Sequence, residues 1–72
     1  MSIEDREIEG LIDHFLNGTT NEMVRKQIID TLSTYGNRAI DHINRAISDP
    51  SIQNEGLKTY AFEKIKLIKY SS

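Results

Sequence analysis

A helical pattern occurs twice in this chain. Met23-Val24-Arg25-Lys26-Gln27-Ile28-Ile29-Asp30-Thr31-Leu32 returns in spacing, though not in identity, as Gly56-Leu57-Lys58-Thr59-Tyr60-Ala61-Phe62-Glu63-Lys64-Ile65. Each copy follows a shorter amphipathic helix pattern. A helix pair repeated at roughly thirty residues buries its apolar faces by stacking on its neighbour, so it builds extended surfaces rather than enclosed pockets. The 72 residues hold two such pairs. That is one small domain, near the size at which a single core can just support independent folding, and it leaves no room for a separate catalytic domain.

The helices can be placed from apolar spacing and end signals. The first is expected over about 3–17, where Ile8, Leu11, Ile12, Phe15 and Leu16 form one broad stripe. Ser2 is placed to cap it, Glu4, Asp5 and Glu7 suit its positive end, and Gly18 is the expected left-handed stop. Thr19-Thr20-Asn21-Glu22 then matches a capping box, with Thr19 as N-cap and Glu22 reaching back. So short a link makes the next helix an antiparallel neighbour.

The second helix is expected over about 20–35, with Val24, Ile28, Leu32 and Tyr35 on one face, Ile29 displaced to the side, and Gly36 at the end. A third, about 37–48, carries Ala39, Ile40, Ile43, Ala46 and Ile47. Asp49-Pro50 reads as a cap followed by a first-turn proline, which opens the last helix over about 50–70 with Leu57, Ala61, Ile65 and Ile68 on its main stripe. Gly56 near its start costs roughly 1 kcal/mol relative to alanine and predicts an irregular first turn. No segment sustains the alternation of a strand.

On these residues the chain resembles HEAT repeats, paired antiparallel helices that stack into α-solenoids. Val24-Arg25 opens a second helix that runs through Ile28 and Leu32 to Gly36, and Asp49-Pro50 occupies the turn between the helices of the next unit. Setting Val24 on Leu57 aligns Arg25 with Lys58, Ile28 with Ala61, Ile29 with Phe62 and Leu32 with Ile65, a shift of roughly 33 residues. Two departures stand out: Gly18-Thr19-Thr20 replaces the aspartate-proline turn in unit one, and Gln53-Asn54-Glu55-Gly56 lacks an arginine in unit two. The resemblance implies an all-α fold of four antiparallel helices in two HEAT-like pairs; the alternative is a four-helix bundle. A repeat should lay helices two and four side by side and parallel, whereas a bundle sets them diagonally across a common core.

The repeat reading also makes Ile29 and Phe62 equivalent, each about 140° around the wheel from the first anchor of its helix. One should face the neighbouring unit while the other faces outward. The apolar rim of the last helix, Tyr60, Phe62 and Leu67, is therefore a candidate for self-association, as a homodimer, or for docking a protein partner. Tyr35 is a further candidate anchor, and Arg25, Lys26 and Lys58 are candidates to orient an acidic partner.

Chemistry has little to work with. Cysteine is absent, which excludes disulfides and thiolate metal sites. Ile-Asp-His occurs at 12–14 and 40–42, but an adjacent Asp and His on a helix point apart, so His14 and His42 make poor metal ligands. Asp30 and Asp41 could act as an acid/base pair only if buried together. There is no nucleophile motif and no phosphate loop, so neither enzyme nor cofactor is expected. Asn17-Gly18-Thr19 matches a glycosylation pattern but reads better as helix stop and cap.

Charge leaves one alternative. The net charge is −2, with six acids and one base in residues 1–22 against five acids and eight bases afterwards. Arg25, Lys26, Lys58, Lys66 and Lys69 lie on the second helices, the layer on which some HEAT-like proteins, including a class of DNA glycosylases, grip phosphates. A pI near 5.6 weighs against nucleic acid. The first residues are acidic rather than signal-like, and no apolar run approaches the roughly 18 residues of a membrane span, so a cytoplasmic protein without a membrane partner is expected.

Overall fold

The computed structural model describes residues 3–71, with four α-helices and no strand among them. Helix α1 spans Ile3–Asp13 and continues into a π-helical turn over His14–Gly18; α2 spans Glu22–Ser33, α3 Asn37–Ile47 and α4 Glu55–Ser71. Ser2, the expected first cap, lies outside the described residues.

The helix ends differ from expectation in three places. Gly18 is not left-handed: the only glycine with positive φ among the described residues is Gly36, at 68°. Instead α1 widens into the π-turn and leaves through Thr19 in an extended conformation. The cap of α2 is Asn21, not Thr19, with Asn21 Oδ1 accepting from Val24 N–H at 3.1 Å. Thr19 Oγ1 accepts from Asn21 N–H at 3.1 Å and so shapes the link, while Glu22 faces Lys26 at 3.7 Å rather than reaching back. Thr19 and Thr20 are β-branched and costly in a first helical turn, so the helix starts after them.

The third difference is at α4, which begins at Glu55 and not at Pro50. Asp49 Oδ1 accepts from Ser51 N–H at 2.9 Å and from Ser51 Oγ at 2.7 Å, closing an Asx turn in place of a helix cap. The N-terminal cap is Asn54, whose Oδ1 takes Leu57 N–H at 3.1 Å. A Cβ on Gly56 would lie 3.2 Å from that oxygen, so the glycine leaves the cap its space. Between turn and cap, Ile52 is buried to 2% exposure and pins the connection to the core. A loop isoleucine carries no periodicity, so the sequence offered no signal for it.

The apolar stripes converge as their spacing predicts. Ile8 and Phe15 from the first segment meet Ile28, Ile29 and Leu32 of α2, while α3 and α4 add Ile43, Ile47, Leu57, Ala61 and Ile65. No polar or charged residue is buried among the described residues. Removing each isoleucine or leucine side chain from water contributes about 1.5–3 kcal/mol, so burial of these stripes is the main stabilising term.

The register between pairs is visible in side-chain neighbours. Glu22 lies beside Gly56, Lys26 beside Tyr60, and Asp30 beside Lys64, so α2 and α4 run parallel. In the other layer Glu4 of α1 bonds Arg38 of α3, 34 positions on, the same offset. The contact between α2 and α4 is the most extensive between any two helices, and α1 shares no extensive contact with α4. The molecule is thus two helix pairs side by side, α1 with α3 in one layer and α2 with α4 in the other.

Candidate interaction surface

The seven residues singled out by sequence all lie on α2, α4 or the turn after α2, but they do not form one surface. Arg25, Tyr35 and Tyr60 are held by intramolecular bonds, Lys26 and Lys58 by salt bridges, and Phe62 and Leu67 face outward.

Arg25 ties α2 to the π-helical turn. Its Nε–H donates to the carbonyl of Phe15 at 3.0 Å, and its guanidinium lies 5.5 Å from the Phe15 ring centroid. The last turn of a helix leaves carbonyls without partners and carries partial negative charge, and a half-buried guanidinium answers both needs. Arg25 thus caps the π-turn, a structural role in addition to the one expected of it with an acidic partner.

Tyr35, expected as an anchor for a partner, is half-buried, and its hydroxyl donates to Glu7 in α1. That bond raises the Tyr35 pKa, because ionising the phenol would put two negative charges together. Tyr60, expected on the outer rim, instead faces α2. Its hydroxyl donates to Asp30 Oδ1 at 2.6 Å, and Lys26 and Lys64 lie 5.5 and 5.4 Å from its ring centroid. Lys64 also reaches Asp30 at 3.2 Å. The hydrogen bond from Tyr60, helped by Lys64, holds the Asp30 carboxyl below the usual range; the same carboxylate raises Tyr60 and Lys64. This cluster joins the two pairs along the layer. Its members are part-exposed, so its energy is modest and its value lies in setting register.

Lys58 is paired with Glu55 at 3.9 Å within its own helix. Phe62 and Leu67 are exposed, at 54% and 60%. Ile29, which aligns with Phe62, is 1% exposed. The difference follows from position: Ile29 points toward α4, on the same side of α2 as Glu22 and Lys26, whereas the matching side of α4 has no helix beside it.

The histidines separate. His14 is exposed on the π-turn, while His42 is half-buried and lines, with Arg45, an open groove whose other lining residues, among them Glu9, Ile12, Asp13 and Leu16, come from α1 and the π-turn. Asp30 and Asp41 are not buried together; Asp30 belongs to the Tyr60 cluster and Asp41 is exposed. Among the described residues no group of three or more His, Cys, Asp or Glu could hold a metal ion, and no helix is long and apolar enough to cross a membrane.

The fold and surface define a class: a small all-α domain of two stacked helix pairs with a polar cluster between them. No family model, curated protein or solved structure matches the chain.

Proposed function

We propose that this chain is a small non-catalytic, cytoplasmic protein-interaction module, built as two HEAT-like repeats and binding through the outward side of its second-helix layer. The observation that carries the reading is the contrast between Ile29, buried against the neighbouring pair, and Phe62, exposed at the matching position. An aromatic half out of water on a preformed helix is the kind of anchor on which interfaces concentrate their energy. The parallel offset of 34 within each layer supports the repeat reading, since stacking by translation sets equivalent helices side by side.

The engagement of Arg25, Lys26 and Lys58 within the molecule leaves fewer cations for a phosphate row, which favours a protein partner over nucleic acid. The test is affinity capture with the wild-type chain and with Phe62→Asp, whose fold is checked by circular dichroism. Loss of specific partners in the variant supports the reading, and an unchanged set of partners sinks it. Titration with labelled nucleic acid at low and high salt addresses the alternative, because phosphate-driven binding weakens steeply with salt.

A further inference from the structure

The outward edge of α4 carries Glu55, Thr59, Phe62 and Lys66 in a row, all exposed. Their spacings are four, three and four residues, a sequence of steps that reads the same in both directions. At 100° per residue these positions fall within about 60° of one another, so they form one narrow strip along the helix. The residues themselves are not symmetric: an acid stands at the N-terminal end, a cation at the C-terminal end, and the aromatic and a small hydroxyl residue lie between.

We infer that this edge pairs with the same edge of a second copy of the chain, antiparallel, with Glu55 opposite the partner's Lys66 and Phe62 over the partner's Thr59. Reversing the strip superimposes it on itself and brings each charge to its opposite. A two-fold axis repeats every contact twice, as an isologous interface requires. Parallel pairing would place Glu55 on Glu55 and Lys66 on Lys66. The small Thr59 leaves room for the ring of Phe62, as Gly56 does for the Asn54 cap on the next face. The dimer also completes the stack. It gives α4 the lateral neighbour that α2 already has, and gives Phe62 the cover that Ile29 has.

Continuation head to tail fits the chain less well. The side of α2 that would receive the α4 edge of another copy presents Gln27, Thr31 and Thr34, all exposed, with Met23 as its single large apolar residue. That side has the polar character of a terminal, capping repeat.

This inference rests on the reading of the α4 edge as an interaction surface and names one occupant of it. Sedimentation velocity over a concentration series should show a reversible monomer–dimer equilibrium. Phe62→Asp should weaken it on the order of thirtyfold, and Glu55→Lys or Lys66→Glu should each weaken it about two- to tenfold. The double variant Glu55→Lys with Lys66→Glu should recover wild-type association. A chain that remains monomeric, single charge reversals without effect, or a double variant no better than the singles would each overturn the antiparallel pairing. Species that grow beyond a dimer would replace it with head-to-tail assembly. A chain that is monomeric yet loses its protein partners on Phe62→Asp would overturn the self-pairing while leaving the interaction reading in place.

Discussion

The two second helices, α2 and α4, share core anchors and differ at their edges. Val24, Ile28 and Leu32 align with Leu57, Ala61 and Ile65, and these face the shared core, with Val24 only partly buried. On the adjoining side Ile29 is covered and Phe62 is not. The same helical position therefore contributes to stability in one pair and to exposed surface in the other, because only α2 has a parallel neighbour on that side. Hydrophobicity at a position does not decide burial; the neighbour does.

The largest test of this contrast is a matched pair of truncations. Ile29→Ala should lower unfolding free energy by about 2–5 kcal/mol, whereas Phe62→Ala should change it by less than about 1 kcal/mol. Urea denaturation followed by circular dichroism reads both, and equal losses would show that the two edges are not different in kind.

Arg25 and Lys58 align in the same way and should also part. Arg25→Ala leaves the Phe15 carbonyl without its guanidinium and should cost about 1.5–3 kcal/mol. Lys58→Ala removes only a part-exposed pair with Glu55 and should stay within about 0.5 kcal/mol. A Lys58 variant as damaging as the Arg25 variant would contradict the assignment of structural capping to the first pair alone.

Gly36 turns the chain between the pairs with φ 68° and ψ −143°, a conformation that only glycine adopts without strain. A Cβ there would meet no atom within 4 Å, so the cost of Gly36→Ala is conformational, about 1–3 kcal/mol. Gly56→Ala should be milder and should act on the α4 cap, since its added Cβ would press on the Asn54 side chain at 3.2 Å and meet Glu22 at an ordinary contact distance of 3.9 Å. Thermal melts of the two variants order these costs.

The smallest expected effect is a pH dependence of the joint between α2 and α4. The Asp30 carboxyl titrates below its unfolded value of 3.8, chiefly through the Tyr60 hydrogen bond. Its contribution to stability is therefore present above the unfolded value and is lost as pH falls through the folded one. Lys64 and Tyr60 titrate above their unfolded values of 10.5 and 10.0, so their contribution holds below those values and disappears as pH rises through the folded ones. Asp30→Asn should flatten stability at both ends. Chemical denaturation as a function of pH would show it, and an unaltered profile would remove this cluster from the account of register.

Much of this was legible in the residues. The four helices, the Gly36 turn and the apolar stripes followed from spacing alone, and the displaced position of Ile29 marked the side on which a neighbour would lie. The caps were harder: Thr19, Thr20 and Asn21 are three capping residues in a row, Asp49 and Asn54 both offer a cap at the other junction, and local chemistry ranks them too closely to choose. Tyr60 was expected on the outer rim with Phe62, although positions two apart on a helix lie about 160° from each other. Its own angle sets it toward α2, where it meets Asp30 and Lys26.

Apolar periodicity and glycine conformation act over a few residues, so they mark which residues seek burial and roughly where helices start and stop. What each second-helix side chain meets is settled by packing. Whether Arg25 answers a carbonyl, whether Tyr60 is bonded, and whether Ile29 or Phe62 is covered depend on the side-by-side placement of helices 34 residues apart. That placement is a property of packing between segments, to which no local stretch of chain has access.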